Sequence, residues 1–431
     1  MTRRRWAGAA AALCATTLAL VWSIERGRTL NAPGEHLYLG APPFLDHYVP
    51  HWGWWFVAIG IGALLGAVWL ASERRSLRVS AVGAAALSAA WIVLLAATGG
   101  WDRLTGQISE TDDFLPQLPW VRVHGWRAFF ASFGDDATFS TFPTHVRSHP
   151  PGMVVLLGGL DGIGLGGPRW ATAVVIGAAA TIPLSVAIAV RAVTDDRMAR
   201  LSAVLVAVTP AAVFMGTTPD ALFAAVAAGA IVLIAVAVQR SSMPLAVAAG
   251  VAAGMAVSFT YGTVPLVALA AAALCLHARR PLPLAGFAVG WLAVIGGWGL
   301  AGFNWFAGLG TVRHQYAVDL AQLSRPYSYF VIANLAVFAC LVGPVVIASA
   351  GAVRRDGLWP LVAAALVAVL VADLSGLSKG EVERIWLPFV PWVTVAGAWL
   401  LSRVEHRWMW AMLAAQLTTG VVLQAVLVGI F

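Results

Sequence analysis

Two adjacent carboxylates, Asp112 and Asp113, open a polar segment that ends in His145-Val146-Arg147-Ser148-His149-Pro150-Pro151. A carboxylate partly shielded from water can take the proton of an attacking hydroxyl. Asp112 is the expected base, with Asp113 and His149 beside it, and which of the two aspartates takes the proton stays open. His149 is expected to orient the carboxylates or the hydroxyl. A second polar set follows: Asp220 after Thr218-Pro219, Tyr261 in the turn at 258–262, Arg325 and Tyr327 in Arg-Pro-Tyr, and Lys379, Glu383 and Arg384 in Lys-Gly-Glu-Val-Glu-Arg. Cationic groups suit a departing phosphate, where negative charge develops in the transition state, and arginine suits it best because its fork makes paired bonds. With His145 and Arg147, these residues form the expected substrate-binding set.

Each also has a plainer reading. Asp112 and Asp113 can cap a short helix, Asp135 and Asp136 fit a turn, Asp220 can simply start a helix after Pro219, and Glu381, Glu383 and Arg384 can form a loop ion pair. His145 and His149 have the i to i+4 spacing of two metal ligands, but Pro150 and Pro151 oppose one helix running through them. The residues name no certain cofactor, and a divalent metal stays open.

The elements that must position these groups are set by composition. Of 431 residues, 60% are hydrophobic and only 11% charged, which excludes a soluble globular domain and implies an all-α polytopic integral membrane protein. The net charge of +7 is scattered between apolar runs rather than gathered into a stripe, so nucleic acid is not an expected partner; membrane lipids are. Cys14, Cys275 and Cys340 all fall in apolar runs and suggest neither disulfides nor a metal site.

Arg3, Arg4 and Arg5 precede an apolar run without a convincing cleavage site, which predicts an uncleaved first span with its N-terminus in the cytoplasm. Spans are expected near 7–24, 53–72, 79–98, 170–190, 200–216, 219–238, 243–258, 262–277, 281–303, 328–350, 358–374, 386–402 and 407–429, thirteen in all. Residues 152–166 fall short of the ~20 needed to cross a bilayer and are predicted to lie at its surface or re-enter it. This layout places 16 of the 27 basic residues but only 5 of the 20 acidic ones in cytoplasmic turns. It divides the chain into N-terminal helices (1–78), a core (79–402) with an outer loop at 99–151, and a C-terminal helix (403–431). All the singled-out polar groups then fall at the outer face, which suggests a site at the membrane boundary rather than a path through its middle.

The order of these motifs resembles the GT-C fold of membrane glycosyltransferases, in particular the branch of the protein O-mannosyltransferases and the lipid A aminoarabinose transferase. There an acidic pair enters the first large outer loop, a His-Pro-Pro precedes the next helices, and a Thr/Ser-Pro run leads to one Asp at a helix start. The matching residues are Asp112-Asp113, His149-Pro150-Pro151, and Thr209-Pro210 followed by Thr218-Pro219-Asp220. The chain differs in having two extra helices before the pair, Asp-Asp where Asp-Glu is commoner, and Gly152 where a large apolar residue is usual.

The resemblance implies a bundle of that type and transfer of a sugar from a polyprenyl-phosphate donor to a glycan, lipid or protein acceptor in the cell envelope. It also implies placement in a bacterial cytoplasmic membrane with the active face outward. The Ala- and Arg-rich, Lys-poor composition points to a GC-rich bacterial source, in which mannose or arabinose carriers are the donors in view. The donor phosphate is expected at Lys379 and Arg384, above Ile385-Trp386-Leu387-Pro388-Phe389-Val390-Pro391-Trp392 as a wall for the polyprenyl chain. The rival readings are a transporter or flippase of lipid-linked precursors, against which no internal repeat is found, and a non-catalytic assembly scaffold. If residues 152–166 do not cross, a cysteine introduced at Gly167 is expected to react with an impermeant thiol reagent added outside; labelling only from the cytoplasm would overturn the layout.

Overall fold

The computed structural model describes residues 3–31, 37–101, 103–216, 218–321 and 323–428. Their regular structure is helical apart from one antiparallel strand pair, His47–Tyr48 with Leu427–Val428, in which His47 faces Val428 and Tyr48 faces Leu427, and an isolated bridge between Ala41 and Phe44.

Helices stand on all thirteen expected segments, but they differ in length and burial. Among the described residues seven helices are long and apolar enough to cross a membrane, or eight if one bent pair counts as a span. The remaining segments are shortened or broken, mostly around proline, glycine and small residues. Segment 386–402 holds two short helices, Val390–Thr394 and Gly397–Leu401, preceded by the single turn Val382–Ile385, with Pro388 and Pro391 each lacking a backbone donor. Residues Gly152–Gly162 make a helix of 11 residues, roughly 16 Å at 1.5 Å per residue and about half the hydrocarbon thickness. The Trp305–Ala321 helix was not anticipated, because its residues mix polar, small and aromatic types without an apolar run.

Burial orders the helices from centre to rim. In its most apolar window, Asp220–Arg240 is 72% buried, whereas Arg3–Leu30 is 11% and Leu282–Ala301 is 17% buried. The first is therefore central, and the other two present Leu18, Val21, Val289 and Leu292 outward, as lipid-facing helices do. The Asp196–Ala207 helix and the broken 382–401 segment complete the centre, with Trp386, Trp392 and Trp399 fully enclosed.

Two devices allow this packing. Gly250 and Gly254 on Met243–Phe259 face Gly286 and Gly290 on Leu282–Ala301. A Cβ on Gly250 would fall on the Phe287 carbonyl, and one on Gly290 on the Val247 carbonyl. Such small-residue spacing lets two backbones touch where no hydrophobic effect drives helices together. The second device repairs a break. Tyr327–Val342 and Pro344–Ala352 meet at 102° about Gly343, and the buried Gln416 amide donates to the Val342 carbonyl (2.7 Å) and accepts from Val345 N–H (3.3 Å). One side chain thus satisfies the backbone groups freed by the bend.

The turns gather into two polar ends. At one, Arg200 donates to the Arg75 carbonyl (3.0 Å), Arg197 pairs with Glu73 (3.0 Å) and Arg403 reaches the Ala352 carbonyl. At the other lie loop 99–151 and the turns around 218, 260, 325 and 380. A Gly250→Ala change is expected to cost about 1–3 kcal/mol through overpacking, seen as a lowered thermal midpoint in detergent. Gly177→Ala, where a Cβ meets nothing within 4 Å, is expected to leave the midpoint unchanged or raise it.

Candidate active site

Loop 99–151 folds on a cluster of its own aromatic residues. Phe129, Phe133 and Phe139 are fully buried against one another and Phe142, and Phe133 meets Phe303 edge to face at 5.0 Å. Thr311 ties the loop to the Trp305–Ala321 helix by donating to the Phe133 carbonyl (2.8 Å).

On this scaffold the two aspartates part company. Asp112 is exposed and holds the start of the Thr144–Ser148 helix: its carboxylate accepts from Thr144 Oγ1 (3.0 Å) and its carbonyl from His145 N–H (2.9 Å). Asp113 turns inward, 4% exposed, with Oδ2 3.4 Å from His145 Nδ1. Phe114 beside it packs on His145 (5.9 Å), His149 (5.6 Å) and Phe223 (6.4 Å).

His149 is buried, its Nδ1 3.2 Å from the Phe259 carbonyl. A carbonyl only accepts, so Nδ1 carries the proton and Nε2 is left as the acceptor. Burial first, then the Arg384 and His145 charges, push the imidazole down to about 4 against the pull of Asp220, so it is neutral at pH 7. Gly152 brings this turn close: any side chain there would strike the Ser258 carbonyl.

The second set meets the first across Phe223, one turn along the helix that Asp220 begins. Asp220 accepts from Thr218 Oγ1 (2.8 Å) and lies 3.4 Å from Arg384 Nη1. Its carboxylate also benefits from the helix N-terminus. The other arm of Arg384 reaches Glu381 Oε2 (2.5 Å), and Glu381 Oε1 lies 3.9 Å from Arg325 Nη1. Arg325 is held in turn by the Leu37 (3.2 Å) and Lys379 (2.8 Å) carbonyls.

Asp113, His145, His149, Asp220, Arg384 and Arg325 therefore share one end of the bundle, linked through Glu381, which sequence reasoning had taken for at most a loop ion pair. Other expected site residues stand around them. Arg147 pairs with Asp319 (3.2 Å), joining the Thr144–Ser148 helix to Trp305–Ala321. Tyr261 lies edge to face on Trp305 at 5.0 Å. Tyr327 is exposed and donates to the Leu374 carbonyl (3.2 Å). Glu383 points away, under residues 37–50, accepting from Leu45 N–H (2.8 Å). Burial, followed by the Asp46 carboxylate, raises its pKa well above the usual range. Lys379 is half-buried, and among the described residues its ammonium has no hydrogen bond or ion pair.

One expectation changes form. Trp386, Leu387, Phe389, Val390 and Trp392 are at most 1% exposed, so packing closes the wall assigned to a polyprenyl chain. The open apolar face beside the turn is on Trp359–Leu374, where Leu366, Val367, Leu370, Val371 and Leu374 lie exposed along one side. For a metal, no group of three His, Cys, Asp or Glu side chains is placed to hold one among the described residues.

Residues 148–298, about a third of the chain, match the dolichyl-phosphate-mannose-protein mannosyltransferase family. The match bears out the resemblance read from the motifs and implies a membrane glycosyltransferase of mannosyltransferase-like type. It contains His149, Asp220 and Tyr261 but neither the aspartate pair nor the Arg325 and Arg384 turns. No curated protein matches the chain.

The depressed His149 pKa has a testable sign. The unfolded imidazole protonates near 6.5 and the folded one only near 4, so this stabilisation is complete above pH 6.5 and is lost as the pH falls towards 4. The loss amounts to roughly 3 kcal/mol. His149→Asn keeps an N–H for the Phe259 carbonyl but does not titrate, and is expected to flatten the thermal midpoint between pH 4.5 and 6.5.

Proposed function

We propose that the protein transfers a sugar from a polyprenyl-phosphate donor to an acceptor hydroxyl at the outer boundary of a bacterial cytoplasmic membrane. The observation that carries this reading is the meeting of a buried carboxylate–imidazole pair with a buried arginine network at one end of an apolar bundle. The first is Asp113 with His145 at 3.4 Å, and the second is Arg384 between Asp220 and Glu381. The match of residues 148–298 to a mannosyltransferase family supports it.

In this reading Asp113 is the base, because it is the shielded member of the pair; a carboxylate surrounded by water is a weaker and less oriented acceptor. Asp112 holds the helix that carries His145. Neutral His149 offers Nε2 to the acceptor or to a bound water. Arg325, Arg384 and Lys379 receive the donor phosphate, where negative charge grows as the sugar departs. The polyprenyl chain lies along the open face of Trp359–Leu374, which leads directly into the Lys379 turn. Asp220 keeps Arg384 aimed, while Arg147, Tyr261 and Tyr327 shape the surroundings.

The arginine-rich turns lie at the opposite polar end, and the positive-inside bias puts that end in the cytoplasm. The shorter helices then complete thirteen passes, and the site faces outward. A lipid-linked donor suits that location. Mannose and arabinose carriers are the donors in view, with a glycan, lipid or protein of the envelope as acceptor.

Asp113→Asn, at unchanged protein level, is expected to slow transfer about 100- to 10,000-fold, the usual worth of a positioned base; Asp112→Asn is expected to slow it far less. Profiling of lipid-linked sugars in cells carrying only the Asp113 variant should show the donor accumulating. A profile like that of the parent cells would reject the reading.

A further inference from the structure

Glu381 is the odd residue of the arginine network. It is not glycine, yet its backbone lies in the left-handed region at φ 61°, directly after Gly380 at φ 94°. Side chains rarely accept that conformation unless their surroundings impose it. The imposing contact is with two cations: Oε2 bonds Arg384 Nη2 and Oε1 lies 3.9 Å from Arg325 Nη1. One anion with two equivalent oxygens thus bridges two guanidiniums, which is also what a phosphate with two free oxygens does.

Exposure separates the anion from its cations. The Arg325 and Arg384 side chains are 9% and 7% exposed, whereas that of Glu381 is 29% exposed. Each guanidinium also has a holder besides Glu381. Asp220 fixes Arg384, and the Leu37 and Lys379 carbonyls fix Arg325. If the Glu381 carboxylate left, both forks would keep their aim. Gly380, with positive φ, stands between Lys379 and Glu381, so the carboxylate can swing away while the Lys379 carbonyl stays on Arg325. The carboxylate is also ionised: burial raises its pKa, but Arg384 and Arg325 outweigh burial and hold it below the ordinary value.

We propose that the Glu381 carboxylate is a built-in stand-in for the donor's phosphate, bridging Arg325 and Arg384 while the site is empty and leaving when the lipid-linked phosphate takes its position. This rests on the assignment of the Arg325, Lys379 and Arg384 turns to the donor. The stand-in spares two buried guanidiniums the cost of facing an empty, poorly hydrated position. It also competes with every anion that enters, so it lowers apparent affinity while keeping the cations in place.

The sign of one mutation separates a stand-in from a simple structural anchor. The probe is farnesyl phosphate, titrated calorimetrically into the full-length protein in detergent micelles. Glu381→Gln removes the negative charge, and Glu381→Gly removes the side chain while suiting the left-handed backbone. Both are expected to bind the probe about tenfold more tightly than the parent, the gain from vacating a position filled roughly nine-tenths of the time. Arg325→Ala is expected to bind it more weakly. If the parent binds and Arg325→Ala weakens binding, but neither Glu381 variant binds more tightly, the stand-in is overturned and the donor assignment survives. If none of these forms binds farnesyl phosphate, the donor assignment fails and the stand-in fails with it.

Discussion

The arrangement at the polar end that carries loop 99–151 depends on where one buried charge finds its partners. Arg384 lies inside an apolar bundle, and an arginine there must be paired through good geometry or it destabilises everything around it. Its two arms are taken by Asp220, from the start of the central helix, and Glu381, from its own turn. Once that pairing is made, the 220–240 helix and the Arg384 end of the 379–384 turn have little freedom to shift separately. The aromatic contact of Phe114 and His149 with Phe223 then sets loop 99–151 against the same helix.

Much of this was legible in the sequence because the chain has so few charged residues. With 11% charged, each ionisable group near a span end stands out; the order of motifs marks His149 and Asp220, and the need for a cation at a departing phosphate marks Arg384. Helix positions were legible for the same reason, since long apolar runs in a membrane chain have few alternatives to helix. Composition did not reveal direction. Adjacent aspartates have the same chemistry on paper, and only the packing of Phe114 turns Asp113 inward and leaves Asp112 outside. Likewise the run from Ile385 to Trp392 reads as an apolar wall wherever it lies; that it is enclosed on all sides depends on neighbours far away in the chain. The Trp305–Ala321 helix was hidden because its stability comes from contacts with loop 99–151 rather than from a pattern of its own.

Gly152 illustrates how a departure from a family pattern acquires a physical reason. A large apolar residue after His-Pro-Pro has no room here, because the chain passes against the Ser258 carbonyl. That approach brings His149 within reach of the neighbouring Phe259 carbonyl, which fixes its tautomer. A residue that looks permissive in the sequence is thus a condition for the protonation state of the imidazole beside it.

The segment from Leu37 to His51 joins parts of the chain made at very different times. Leu45 donates to Glu383 beside the arginine network, Leu37 accepts from Arg325, and Val49 and His51 hydrogen-bond to carbonyls of Val426 and Ala425, next to the short strand pair. In a growing polypeptide this strap is made well before the turn it covers and the strand that secures it. The strap is therefore secured only once the Leu427–Val428 strand is in place, which makes the cover over the arginine network a late step of folding.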